Sequence, residues 1–427
     1  MKKLLAIVLA VLMIAALAAC GDGASNPSSQ ESTPSAGGDK KVLTFYGFSE
    51  WVDSAPWKEF YEAAVKQFED ENPGFTVDLQ SDPWGEWETK YVSMFAAGNP
   101  ADVYFVNNPE VAQFANGGHM LNISDYVDAG YFNNFFPGVA SMYTWKGANV
   151  AIPFTTDCRM MWYNKDLFTE AGLDPDAPPT TWAELVTMAN QIKEKTGKAG
   201  FGMDLGLKEF PQQGLFCASA GSIINVAGDG TVTPNVDTAE FKGYLQTLVD
   251  MKGAYHDDFS IQDHHTVAEQ YVAGEFGIII GNTLDSDTTN AIRETDWYGQ
   301  ALIPSIDGKT NGSFGGGFGI GVSAKTEYPE QAVKFAQILC SADFCAKLIS
   351  DIPASEAGLA KCDKVSDPTY DVYFEQIKYA RQAQPKTLFY KEIDMAVYET
   401  IVSALVNNKS VDDAVADLAA KITDIAK

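Results

Sequence analysis

Apolar residues along this chain recur at two spacings, every second residue and every three to four, and the alternation between them predicts strands and helices in turn. Lys41–Tyr46 (KVLTFY) is a short run of β-branched and aromatic residues, the composition of a strand. Ser54, Ala55 and Pro56 then open a helix, with proline in the first turn where its missing N–H costs nothing. Trp57, Phe60, Tyr61, Ala64, Val65 and Phe68 follow on one helical face until Asn72-Pro73-Gly74 stops it. Phe75–Leu79 alternates with period two. A second helix runs from about Trp84 to Ala97, closed by Gly98, and Ala101–Val106 (ADVYFV) is the next strand. This β-α-β-α-β order predicts a mainly parallel α/β sheet with helices on both faces.

The rhythm continues to the C-terminus. Ala151–Phe154 reads as a strand. Thr181-Trp182-Ala183-Glu184 fits a capping box, in which Thr181 and Glu184 satisfy orphan N–H groups at a helix start. Trp182, Leu185, Ala189 and Ile192 then share a face, as do Phe241, Tyr244, Leu245 and Leu248 in another helix. Gly277–Gly281 is a strand apolar enough to be covered on both sides. Gly315–Ser323 (GGGFGIGVS) is a glycine-laden strand, and Glu330–Ile349, 388–406 and 410–426 read as helices. The chain contains no internal repeat.

The first forty residues follow another pattern. Lys2 and Lys3 precede an uncharged apolar run, Leu4–Ala19, which is shorter than the ~20 residues of a membrane span and suits a signal peptide. It ends in Leu17-Ala18-Ala19-Cys20, which resembles a bacterial lipobox. That resemblance implies cleavage after residue 19 and lipidation of Cys20, whose several acyl chains would hold the protein at a membrane. From Gly21 to Lys40, 11 of 20 residues are Gly, Ser or Pro, with no aromatic, so this segment is expected to act as a flexible leash. The body beyond it is expected to work outside the cytoplasm.

Composition narrows the function. With 57 acidic and 30 basic residues the net charge is −27, and −29 once residues 1–19 and their two lysines are gone. Such a chain lacks the cationic footprint that nucleic acid requires. Its 427 residues, 46% hydrophobic, are ample for two or three domains. Cys158, Cys217, Cys340, Cys345 and Cys362 remain after processing. Their number is odd and they lack CxxC spacing, so neither a zinc site nor a redox pair is indicated, and buried small apolar residues with at most one or two bridges are expected.

Several stretches together resemble the family 1 extracellular solute-binding proteins of ABC importers, the group that includes maltose- and multiple-sugar-binding proteins. They are Phe68–Val77 (FEDENPGFTV), Phe95–Val103 (FAAGNPADV), Ile152-Pro153-Phe154, Tyr163–Phe168 (YNKDLF), Ala171-Gly172-Leu173, Pro179–Leu185 (PTTWAEL) and Tyr271–Gly281. Within the last of these, Glu275 and Phe276 replace the small residues usual in the family. The pieces occur in the family's order across nearly the whole mature chain. The resemblance implies an α/β, two-lobed periplasmic-binding-protein-like fold (type II), hinged, with a ligand cleft between the lobes. It places crossings near Met160–Asp166, Ser313–Phe318 and Ser350–Pro353. The lobes would then be 41–162 plus 316–350 and 163–315 plus 351–427, preceded by the signal peptide 1–19 and the lipidated linker 20–40. It further implies a monomer that captures a mono- or oligosaccharide and delivers it to the permease subunits of an ABC transporter, with no cofactor.

Sugars are bound by aromatic faces and by planar amides or carboxylates that grip hydroxyl pairs. In open α/β sheets such groups sit beyond the C-terminal ends of strands. That rule nominates Trp51, off the core periodicity between a strand and a helix, and Trp84, after the second strand. It also nominates Asn107 and Asn108, which end the strand Val103–Val106, and Asp157 near the first crossing. A pairing of Asp157 with Arg159 is the alternative, which the alternation of side chains along a strand is taken to disfavour. Trp145 lies in a loop. Asn282 and Thr283 follow the strand Gly277–Gly281. Gly316 and Gly317 would let backbone approach something closely, and Tyr390 stands in a polar stretch. Trp57, Trp87, Trp162 and Trp182 read as core.

Other functions fare less well. Paired carboxylates could serve a glycoside hydrolase, but acid-rich composition supplies such pairs by chance, and GxSxG, GxxxxGK[ST] and HExxH are all absent from the sequence. His256-Asp257-Asp258 and Asp263-His264-His265 could hold a metal, although their spacing matches no zinc motif. A polyol or peptide remains an alternative solute.

Overall fold

The computed structural model describes residues 40–203, 221–259, 264–282, 292, 295–305, 312–348, 351–381 and 385–427. Cys20, Cys217 and Thr283 lie outside them. Residues Lys41–Lys427 form a single unit by their internal contacts.

The N-terminal alternation builds the first sheet. Strand β1 (Lys41–Phe48) leads through a helical turn, Ser49–Val52, into α1 (Ala55–Glu71), with proline in its first turn. Strand β2 (Phe75–Asp82), helix α2 (Trp84–Ala97) and strand β3 (Val103–Asn107) follow. Gly98 ends α2 in the left-handed region, φ 77°, a conformation that glycine adopts without a Cβ penalty. β1 pairs parallel with β2 and with β3, and Phe45, Trp57, Tyr61, Phe68 and Phe105 interlock beneath the helices.

Two further strands complete this sheet. They are β4 (Ala151–Pro153) and a later strand, Phe318–Val322, in the order β2-β1-β3-(Phe318–Val322)-β4. Both pairings of Phe318–Val322 are antiparallel, so the sheet is mixed rather than mainly parallel. The reason is connectivity: that segment returns from the second sheet and runs against β3.

β5 (Thr155–Asn164), buried along its whole length, is the spine of the second sheet. Its companions in chain order are β6 (Ala199–Met203), β7 (Phe276–Asn282), β8 (Tyr298–Ala301), β9 (Ser313–Gly316), then Phe318–Val322 as β10 in the first sheet, β11 (Ile352–Pro353) and β12 (Ala380–Arg381). The main path is β12-β9-β5-β7-β6, and β8 and β11 also pair with β5. β5 is antiparallel to β7, β8, β9 and β11, whereas β7 and β6 are parallel. β7 is covered on both sides: Ile278 and Ile280 join one apolar cluster, Phe276 and Ile279 another.

Helix α3 (Trp182–Thr196) carries the complete capping box, and Trp182, Leu185, Ala189 and Ile192 are its buried face. Helices α4 (Ala239–Asp250), α5 (His264–Val272), α6 (Pro329–Leu339), α7 (Tyr390–Leu405) and α8 (Val411–Ile425) follow the apolar periodicity. The helix expected over Glu330–Ile349 is shorter, because α6 stops at Leu339 and Ser341 caps a separate turn, Ala342–Cys345.

Among the described residues, three segments join the sheets. β5 pairs into the second sheet from Thr155 onward, so the first passage falls at Phe154–Thr155, ahead of the expected Met160–Asp166. The glycine-laden stretch is two strands, β9 and β10, in different sheets, divided at Gly317 with φ 116°. The third segment is β11 with Ala354, whose N–H donates to the Phe154 carbonyl at 3.3 Å. Phe154 N–H in turn donates to the Phe318 carbonyl at 2.9 Å, and Phe318 N–H to Thr155 Oγ1 at 3.1 Å. Cys158, Cys340, Cys345 and Cys362 are buried and unbridged.

Candidate functional site

At the C-terminal ends of β1 and β3 the aromatic residues form a wall. Phe48 meets Trp51 at 4.9 Å, Trp84 edge-on at 5.2 Å and Phe318 at 5.2 Å between ring centroids. Trp84, the first residue of α2, is half-buried, and its N–H donates to the Glu50 carboxylate at 3.0 Å. Trp51 is half-buried too, but it is not free of the core: one face stacks on Trp57, centroids 4.4 Å apart and planes 16° from parallel. Local order explains this. The helical turn Ser49–Val52 folds Trp51 back over α1 instead of leaving it in an open loop.

Beyond β3 comes a 3₁₀ turn, Asn108–Glu110, buried throughout. Asn107 is half-buried at the strand end, whereas Asn108 is buried, and neither amide atom has a hydrogen-bond partner. Glu110 Oε2 is likewise unpartnered, and burial pushes its carboxyl up to about 8. Lys391 of α7 pairs with Glu88 of α2 and lies 3.8 Å from Glu110 Oε1. Tyr390, buried, precedes it. Lys386 donates to the carbonyls of Ser141 and Thr144, and burial lowers its ammonium to about 8. Helix α7 packs with the second sheet's core and α2 with the first, so Lys391 spans the junction between them.

Trp145 belongs to a two-stranded hairpin, Thr144–Trp145 with Ala148–Asn149, and Lys146 Nζ sits 5.4 Å from its ring centre. Because Thr144 accepts from Lys386, this hairpin borders the same junction.

Asp157, Gly316 and Gly317 come together at the crossings. Asp157 is buried and accepts from Arg159 Nη1 at 2.9 Å. The sequence argument against this pair fails because residues two apart along a strand share a face. The glycines have structural causes. A Cβ on Gly316 would come within 2.2 Å of Asp157 Oδ1, and one on Gly317 within 2.3 Å of the Thr155 carbonyl oxygen. The close approach expected of them is therefore to their own chain. Tyr143 ties the group together, its hydroxyl donating to the Gly317 carbonyl at 2.9 Å. Asp351 is buried alongside, its carboxyl raised to about 7 by burial and then by the Asp157 charge.

Asn282 ends β7, and its side chain, like Thr283, falls outside the described residues. Among the described residues no cluster of His, Cys, Asp or Glu suits a metal. His256 bonds Asp258, while Asp263 and the side chains of His264 and His265 are not described. The structure thus draws together Trp51 with Trp84 around Phe48 and Phe318, and Asp157 with Gly316 and Gly317, while the turn that holds Asn108 meets the start of α7 through Glu110 and Lys391. Sequence reading missed Glu110, Phe318, Tyr143, Lys386 and Lys391. Glu110 alone had a local signal, as an acidic residue three places beyond a strand end.

A half-buried aromatic wall beside buried polar groups, at the seam of two α/β sheets joined by three segments, is the arrangement of a two-lobed binding protein. Residues 53–343 match the family described as bacterial extracellular solute-binding protein, and the chain belongs to that family. A binding protein of Brucella abortus (strain 2308) is 26% identical over 299 residues, 69% of this chain and 71% of the relative. The sn-glycerol-3-phosphate-binding periplasmic protein UgpB of Agrobacterium fabrum is 29% identical over 199 residues, 45% of this chain and 42% of the relative. Among solved structures, an ABC transporter solute-binding protein of Thermotoga lettingae bound with α-D-tagatose shares the fold with TM-score 0.75 and 23% identity, over 91% of this chain and 100% of that one. The sugar-binding protein MalE of Xanthomonas citri gives TM-score 0.75 and 21% identity, over 90% and 97% of the two chains.

Proposed function

We propose that this protein captures a sugar, a mono- or oligosaccharide, between two lobes and delivers it to the permease of an ABC importer. The observation that carries this reading is the aromatic wall of Trp51, Trp84 and Phe318 on the same side of the junction as the unpartnered amide and carboxyl atoms of Asn108 and Glu110. Flat aromatic faces suit the C–H surfaces of pyranose rings, and planar polar groups suit their hydroxyls. Tagatose in one structural neighbour and the sugar-binding designation of another support the same ligand class.

In this reading the lobes follow the strand pairing, 41–154 plus 318–350 and 155–316 plus 351–427, with Gly317 at the return. Ligand favours the closed arrangement because it touches both lobes, and only that difference in affinity can shift the balance. Lys391 and Lys386, reaching across the junction, add to the closed state. The protein acts as a monomer, is anchored outside the cytoplasm through a lipid on Cys20, and turns over no substrate. Tryptophan fluorescence tests capture: a saturable change with an unmodified saccharide is expected, because Trp51 and Trp84 border the site. A flat response across a broad panel of mono- and oligosaccharides would remove sugar as the ligand.

A further inference from the structure

The passages between the two sheets converge on Asp157. β9 sets Gly316 in register with it, and β11 pairs antiparallel with β5 as Ile352 with Thr156 and Pro353 with Thr155. The same register, carried one residue further, sets Asp351 directly opposite Asp157, where cross-strand side chains share a face. Both are buried, Asp351 at 5% exposure and Asp157 at 7%. Two carboxyls thus meet in the interior beside Phe154–Thr155, Gly317 and Ala354, the points where the chain changes sheets.

Like charges directly opposite each other in a ladder are destabilising, and burial raises that cost. Carboxyls so placed keep one proton between them. The Arg159 guanidinium is held by Asp157 at 2.9 Å, so the proton falls to Asp351. Burial and then the Asp157 charge raise the Asp351 carboxyl to about 7, against the opposing pull of Thr155, Lys364 and Arg159. Asp157 has no slack toward β9, because its Oδ1 lies 2.2 Å from where a Cβ on Gly316 would stand. β11 is the strand that yields. It is two residues long, and one of them is Pro353, which donates no ladder bond.

We propose that Asp157 and Asp351 form a proton-operated clamp on the hinge: with one proton between them they hold β11 to β5 beside the three passages, and with both ionised they loosen it. Movement of the lobes then responds to external pH. The clamp acts on the hinge and not on the ligand, so it stands or falls apart from the sugar reading.

The sign follows from a raised carboxyl. The holding contribution is fully present below the ordinary carboxylate range and is lost as pH rises through about 7. The other titratable or charged groups facing the pair are Arg159 and Cys158 of β5, Tyr143, Lys364 and Tyr373. Lys364 donates to the Leu348 and Asp351 carbonyls at 2.9 and 2.7 Å. Burial pushes the Cys158, Tyr143 and Tyr373 protons well up, so these three stay protonated across the range. Glu110 and Lys386 titrate near 8 elsewhere at the junction. Asp351→Asn leaves both in place, so its difference from the wild type isolates Asp351.

Hydrogen exchange at about pH 5.5 and about pH 8.5, corrected for intrinsic rates, tests the clamp in the wild type, Asp351→Asn and Asp128→Asn. Asp128 is an exposed acid whose loss changes net charge equally. The amides to follow are those of Phe154, Phe318 and Ala354, which bond across the passages, with Ile278–Ile280 of β7 as the interior reference. Wild-type protection at the three, relative to the reference, is expected to fall about tenfold or more at the higher pH, and in Asp351→Asn by less than about threefold. Asp128→Asn should follow the wild type. Protection in the wild type that ignores pH, or an equal loss in Asp351→Asn, would overturn the clamp. Should Asp351→Asn fail to fold, carbon-13 NMR of wild-type protein labelled at its aspartate carboxyls decides. An aspartate carboxyl titrating between about pH 6 and 8 is expected, and none titrating there would overturn the shared proton.

Discussion

Trp84 and Trp182 each open a helix, yet their surroundings assign them different work. Trp182 is 3% exposed and packs edge-on against Phe201 and Tyr244 inside the second lobe's core. Trp84 keeps part of its ring exposed beside Phe48 and Phe318. Trp182→Ala is therefore expected to cost about 3–5 kcal/mol of stability, as large-to-small core changes do. Trp84→Ala should cost clearly less stability and more affinity. Urea unfolding paired with ligand titration checks this, and equal stability losses with unchanged affinity for Trp84→Ala would contradict the site. Trp84 was legible in the sequence because a strand end and a helix start bracket it. Lys391 and Glu110 were not, since their meeting depends on two elements from distant parts of the chain. Asp157 and Arg159 show another error: the sequence reading ended its strand at Phe154 and missed β5, where residues two apart share a face.

Element boundaries were readable wherever the signal is local. Gly98 ends α2 and Thr181 caps α3 because those residues themselves satisfy, or fail to extend, the helix. The passage from one sheet to the other is not local, because only pairing with remote strands decides that β5 begins at Thr155. Gly317 marks the return passage by both strain and crowding. Its φ of 116° disfavours any side chain, and an added Cβ would strike Thr155 and Thr156 backbone atoms. Gly98, φ 77°, has no atom within 4 Å of the same position. Gly98→Ala is expected to cost about 1 kcal/mol, the penalty of the left-handed region. Gly317→Ala should cost distinctly more, about 3 kcal/mol or above, because strain and steric displacement add. Chemical denaturation of the two variants separates them, and equal costs would mean that the crossing is not tightly packed at Gly317.

At the scale of the whole molecule, the α/β rhythm and the family resemblance carried the architecture, while the mixed strand directions came only from the structure. The acidic balance takes on a local meaning at the junction, where, among the described residues, Lys391 and Arg159 are engaged with carboxylates and Lys386 with carbonyls. Such a cleft is suited to a ligand with hydroxyls rather than charge. The most direct test of the account is isothermal titration of the purified protein with uncharged mono- and oligosaccharides. The account predicts saturable single-site heat with at least one of them and recovery of that saccharide unaltered. No heat from any uncharged saccharide, or its conversion to a product, would contradict it.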